Sequence, residues 1–158
     1  MYAVRKDGLG FRAVNSADDC SDQEEFSITL PTPGIRQLRA DKATEIDQAC
    51  RDSIYAGFTS NAFGAVHHYP AKDKDQSNLV GSVTESLYPN LSPEWVTPFW
   101  CATETANGVW AYRLHTAAQI QQVGTDAKAA IVAALTRNAQ LQAQIAVANA
   151  EDLDGIVW

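Results

Sequence analysis

Two of the chain's three histidines stand side by side in "GAVHHYPAKDKDQSNL", which begins at Gly64. His67 and His68 are followed by the carboxylates of Asp73 and Asp75 and the hydroxyl of Ser77. Such residue types serve metal binding, general acid–base catalysis and nucleophilic catalysis. The spacing argues against each. Ala65 to Tyr69 reads as a strand, where neighbouring side chains point to opposite faces, so His67 and His68 cannot jointly hold one ion without distortion. No HExxH or other compact ligand spacing is present, and only a third ligand converging in space, such as His115, would complete a metal site. Acid–base work needs a histidine held by a partner in a cleft, and closeness of Asp73 or Asp75 in sequence is not orientation. Ser77 lacks the GxSxG elbow of a serine hydrolase. The pair reads as strand residues; no catalytic residue, metal ligand or cofactor is assigned, and no enzymatic activity is expected.

The other polar concentrations are weaker still. From Asp18 to Glu25 there are five carboxylates in eight residues. They lack the EF-hand spacing and its central glycine, so the segment reads as a solvated acidic loop. Cys20, Cys50 and Cys101 lie far apart, without a CxxC pair or a disulfide framework, and read as free thiols. Cys101 sits between aromatics in an expected strand, an environment for a buried thiol rather than a nucleophile.

These side chains are carried by a chain of 158 residues, 46% hydrophobic, which is enough for one domain with a small appendage. The formal charge is −7 and the pI about 4.8, with no basic cluster, so nucleic acid is not an expected partner. No stretch approaches the length of apolar sequence that spans a bilayer, and the N-terminus does not read as a secretory signal.

"YAVRKDGLGFRAV" predicts a hairpin turning at Asp7 and Gly8, and "SITLPTPG" one more short strand before Pro31 and Pro33. Ile46, Ala49, Cys50 and Ile54 recur at helical steps, predicting a helix from about Ile35 to Ala56, with Gly57 ending it. A second helix is expected from about Asp75 to Leu87, carried by Leu79, Val83 and Leu87 and capped by Asp73 or Asp75. "VTPFWCATETANGVWAYR" is the strongest hairpin signal, two aromatic runs flanking Asn107-Gly108. Thr116 and Gln119 fit a capping box, opening a long helix with the stripe Ile120, Val123, Ala127, Ile131, Leu135, Asn138, Leu141, Ile145. Gly124 is a candidate interruption near its start. The expected fold is α+β: a small antiparallel sheet of hairpins packed with two shorter helices and one long C-terminal helix. Residues 1–34 form an N-terminal hairpin and acidic loop, and 35–158 the α+β domain.

Two surfaces are candidates for recognition. Trp95, Phe99, Trp100, Trp110 and Tyr112 cluster within eighteen residues. Strand alternation sends some to the core and leaves others for protein or sugar contact by stacking. On the long helix, Ile131, Leu135, Asn138, Leu141 and Ile145 either pack within their own domain or associate with a second copy or a partner, Asn138 then fixing the register of a coiled coil.

The ordered set "RDSIYAGF", "HHYPAKDKDQSNLVGSV", "PFWCATETANGVWAYRLHTAAQIQQVG" and the alanine-rich helix resembles a family of bacteriophage and prophage tail-gene clusters, domain of unknown function 4376, over roughly Thr44 to Trp158. "YAVRKDGLGFRAVN" also resembles the openings of tail-fibre accessory and assembly proteins. The resemblance implies a non-enzymatic role in tail-fibre assembly, as a chaperone binding the fibre or another tail protein. The alternatives are a minor tail component retained at the fibre attachment point, or a cell-envelope-directed enzyme or carbohydrate-binding module. It implies residence in the bacterial host cytoplasm during assembly or in the virion tail, and it supplies no catalytic residues.

Overall fold

In the computed structural model, which describes residues 1–158, the chain is α+β, with two small antiparallel sheets and three helices, the last one long. The elements are β1 (Tyr2–Arg5), β2 (Phe11–Ala13), β3 (Glu24–Ser27), α1 (Ile35–Tyr55), β4 (Phe58–Ser60), β5 (His67–Tyr69), α2 (Asp73–Ser86), β6 (Val96–Thr103), β7 (Trp110–Thr116) and α3 (Ala117–Val147). Single 3-10 turns lie at Ala17–Asp19 and Leu153–Gly155. Two compact units are present: Met1–Ala49 with Asn138–Trp158, and Cys50–Arg137.

In the first unit the sheet order is β2-β1-β3. The expected hairpin forms with Tyr2 opposite Ala13 and Val4 opposite Phe11, and the Gly8 N–H closes the turn on the Arg5 carbonyl at 3.0 Å. The third strand starts earlier than "SITLPTPG" suggested, at Glu24, and pairs with β1. A charge pair explains the shift. The Arg12 guanidinium donates to both Glu24 oxygens at 2.9 and 2.8 Å, and Ser21 donates to the same carboxylate from its N–H at 2.9 Å and its hydroxyl at 3.0 Å. The tail of the acidic run is therefore bonded strand rather than solvated loop. These donors, Arg12 foremost, hold the Glu24 carboxyl down at about 2.

The same unit contains a helical cluster in which Ile46 of α1 meets Ile145 of α3, Leu153 and Ile156. The apolar C-terminal tail is thus packed, with Trp158 against that cluster. Arg39 donates twice to the Ala148 carbonyl, at 3.0 and 2.9 Å, satisfying an orphan acceptor just beyond α3.

In the second unit all strands are antiparallel, in the order β4-β5-β6-β7. β4, only three residues long, is too short to leave a periodicity in the sequence. Alternation places Phe58, Tyr69, Phe99 and Cys101 on one face, where Leu79 of α2 and Ile120, Val123 and Ala127 of α3 cover them. Burying each of the larger side chains contributes about 1.5–3 kcal/mol. Gly57 ends the turn after α1 at φ 97°, and a Cβ there would stand 2.3 Å from the Tyr69 carbonyl oxygen.

α2 starts where the Asp75 carboxylate accepts the Lys72 N–H at 3.1 Å. α3 opens with the expected box: the Thr116 N–H donates to Gln119 Oε1 at 2.9 Å and the Gln119 N–H to Thr116 Oγ1 at 3.4 Å. Gly124 does not interrupt α3; its missing side chain admits Val83, whose Cγ2 would lie 2.8 Å from a Cβ. The β6–β7 connection is also longer than a two-residue turn. Asn107 and Gly108 sit inside a loop in which the Gly108 N–H bonds the Thr105 carbonyl at 2.9 Å.

Two glycines make opposite predictions. Gly81→Ala, in open space on α2, should raise unfolding free energy by about 1 kcal/mol through helix propensity. Gly57→Ala should lower it by about 2 kcal/mol or more, since its backbone is left-handed and the space is filled; chemical denaturation of the two variants checks both. For Glu24 the folded carboxyl lies below its unfolded value of 4.5, so its contribution is complete above that pH and disappears as pH falls toward about 2. Acid unfolding of Glu24→Gln should show a shallower loss across that window than the parent chain.

Candidate functional site

The structure separates the histidine pair and gives each ring a local partner. His68 leaves the core face; its Nε2 lies 2.9 Å from the Ala56 carbonyl and its ring meets the edge of Trp110 at 5.9 Å. His67 points inward, with Nδ1 3.0 Å from the Ala65 carbonyl. His115 joins it on that face, both rings packing against Phe63 at 5.0 and 4.5 Å. Sequence spacing left this convergence open because it depends on strand register. The acidic neighbours face elsewhere. Asp73 accepts the Tyr55 hydroxyl at 2.7 Å, Asp75 caps α2, and the Ser77 hydroxyl donates to the Asp73 carbonyl at 2.9 Å. No three of the chain's histidines, cysteines and acidic residues stand together as a ligand set for a metal ion.

Tyr69 and His115 form the most enclosed polar contact, 2.9 Å between the hydroxyl and Nε2, with both residues at 0% exposure. His115 Nδ1 is 2.8 Å from the Arg113 carbonyl, which only accepts. The proton therefore sits on Nδ1, and Nε2 accepts from the Tyr69 hydroxyl. Burial lowers the His115 pKa and raises that of Tyr69, so both groups are neutral near pH 7. The Cys101 thiol is pushed up by burial as well, which opposes thiolate chemistry. Arg113 shares this face, and its Nε–H is buried without an acceptor. With both ends spoken for and both residues fully buried, the Tyr69–His115 pair braces the sheet across β5, β6 and β7.

The aromatic cluster divides by strand parity. Phe99 is core, and Trp95 packs at its margin with Nε1 donating to Glu85 at 3.3 Å. Trp100, Trp110 and Tyr112 come together on the opposite face. The two indoles stack at 6.0 Å, and Tyr112 lies 4.9 Å from Trp100. Tyr112 is 72% and Leu114 62% exposed, and Val96 and Trp100 extend the same apolar strip. A groove of about 640 Å³ adjoins it, with Asp75, Asn78, Ser82 and Glu85 of α2 on one side and Pro98, Trp100 and Tyr112 on the other. Sequence reasoning missed this groove, although the prolines at 70 and 98 beside strand-like runs were its available signal.

The helix stripe is largely used within the chain. Ile145 is buried and Leu141 packs beside it. Asn138 donates to Asp47 Oδ1 at 2.8 Å, an oxygen that Gln142 also reaches at 2.9 Å. Ile131 lines a small cavity of about 100 Å³, and Leu135 remains half exposed. No helix is long and apolar enough to cross a membrane.

The profile of the family described as Domain of unknown function (DUF4376) matches residues 37–157. The chain belongs to that family. The DUF4376 segment takes in α1 from Gln37 onward and every later element, including the whole four-stranded sheet; the β1–β3 sheet precedes it. No curated protein and no solved structure matches the chain. Within the DUF4376 segment an aromatic sheet face and a polar groove are exposed, while His67 and His115 are buried against Phe63.

Tyr69→Phe should cost about 1–3 kcal/mol, because the buried His115 Nε2 loses its only donor. The lowered His115 pKa has a defined sign. The unfolded chain binds the proton near pH 6.5 and the folded chain resists it, so stability falls as pH drops below 6.5. Denaturant midpoints of His115→Gln, measured from pH 7 to 5, should show a flatter slope than the parent.

Proposed function

We propose that this chain is a non-enzymatic assembly protein of a bacteriophage or prophage tail, acting in the host cytoplasm by binding the tail-fibre protein. One observation carries the reading: the Trp100–Tyr112–Leu114 strip exposes large apolar groups on a sheet face that nothing in the chain covers. Isolated exposed apolar residues are normal on soluble proteins, but a contiguous strip marks an interaction surface. Membership of the DUF4376 family and the likeness of "YAVRKDGLGFRAVN" to tail-fibre accessory proteins favour a tail-fibre partner.

The physics suits the role. Fibre tips are β-rich oligomers whose strand edges and apolar surfaces invite misassociation before folding is complete. A rigid sheet face with stacked aromatics offers such a surface temporary cover at little entropic cost, because the rings are already ordered.

Co-expression with a tail-fibre protein of the same phage or prophage tests this directly. The chain should raise the yield of soluble, trimeric fibre, and Tyr112→Ser with Leu114→Ser should reduce that yield to the level without the chain. Both side chains are mostly exposed, so the fold should survive the change. Unchanged fibre yield and trimerisation when the chain is omitted would sink the proposal.

A further inference from the structure

β6 is paired along its whole length by β7 but only at its end by β5. The Thr103 N–H reaches the Val109 carbonyl at 3.3 Å, toward β7, and the Glu104 N–H reaches the Val66 carbonyl at 3.0 Å, on the β5 side. Backbone groups of an antiparallel strand alternate between neighbours. Ala102, Trp100 and Pro98 therefore turn their backbone groups to the β5 side. Ala102 is matched there by His68. Continuing that register sets Pro70 opposite Trp100, and Pro70 has no N–H to give, so β5 ends at Tyr69 and the chain leaves for α2. No backbone hydrogen bond from elsewhere in the chain reaches Trp100 or the Pro98 carbonyl on that side. Both residues are exposed, and they line the groove beside α2.

We propose that this interrupted edge accepts an extended, basic segment of a partner protein, added to the sheet beside β6 at Trp100. The Trp100 N–H, the Trp100 carbonyl and the Pro98 carbonyl supply the backbone contacts of strand addition. Across the groove Asp75 and Glu85 present two carboxylates, and no lysine or arginine lines it. A residue placed opposite Trp100 shares its outer face, and the residues on either side of it point toward α2. The fitting segment therefore alternates apolar and basic residues, with the apolar ones against the Trp100 and Tyr112 rings. A second copy of this chain is disfavoured, because two such edges brought together would set the Asp75 and Glu85 carboxylates against their own counterparts. The missing Pro98 N–H also limits the ladder to a short segment. The inference stands apart from the tail-assembly reading, since it derives from the edge and its charge; either test fails without deciding the other.

The probe is an acetylated, amidated heptapeptide alternating arginine and valine, titrated into the full ¹⁵N-labelled chain. Two isomers serve as controls, N-methylated either at the valines, whose amides would face β6, or at the arginines, whose amides would face away. The parent and the arginine-methylated peptides should perturb the Trp100 amide and saturate below about 1 mM, and methylation at the valines should weaken binding about tenfold or more. Gly81→Arg places a competing cation in the groove, where a Cβ meets nothing within 4 Å, and should also weaken the parent peptide while leaving the fold intact. Equal binding of both methylated peptides would reduce the contact to charge attraction and overturn the proposal. So would no perturbation of Trp100 at about 1 mM peptide, or a peptide-free dimer whose contacts map to Trp100.

Discussion

The hydrogen bond between Tyr69 and His115 fixes the register on which the second unit depends. It joins β5 to β7 across β6 with both side chains fully enclosed. Strand side chains alternate strictly, so committing Tyr69, Phe99, Cys101 and His115 to the covered face commits Trp100, Tyr112 and Leu114 to the other. A slip of one residue would bury the aromatic strip and expose a histidine, a tyrosine and a thiol. The exposed surface is thus a consequence of core chemistry. Its rings are turned outward by a register that a buried polar pair helps to fix.

Much of this was legible in the sequence where the signal was periodic or local. The three- and four-residue spacing from Ile46 to Ile54 located α1, and Thr116 with Gln119 located the start of α3, because helix propagation and capping depend on near neighbours. The aromatic runs around Asn107-Gly108 gave the β6–β7 hairpin. Illegible features depended on distant partners. β4 is three residues that become a strand only by pairing with β5. β3 moved to Glu24 because Arg12, on another strand, holds that carboxylate. The approach of His67 and His115 to a common Phe63 required the register of two ladders, which no spacing rule provides.

In the first unit Asp47 shows how an apparently solvated residue becomes organising. It lies on the polar side of α1 by periodicity, yet one of its oxygens accepts from Asn138 and Gln142 of α3. The apolar cluster of Ile46, Ile145, Leu153 and Ile156 belongs to the same unit. Apolar burial is non-directional, whereas hydrogen bonds of defined geometry discriminate between neighbouring registers of two helices. Asn138 sits on the apolar stripe for that reason, as a polar residue whose partner is supplied by its own chain.

Two prolines then decide what the second sheet offers. Pro70 ends β5 one residue before it would satisfy Trp100, and Pro98 removes a donor from the same side of β6. A long, regular open edge would pair with any strand at hand. An edge reduced to one residue's donor and two carbonyls, bordered by Asp75 and Glu85, is short and carries negative charge, both of which disfavour indiscriminate strand pairing. Trp100 belongs to both surfaces, its ring in the aromatic strip and its backbone in the groove. The same residue that the core's register turns outward is the one that the prolines leave unpaired, so an exposed ring and an unpaired backbone coincide at a single position of β6.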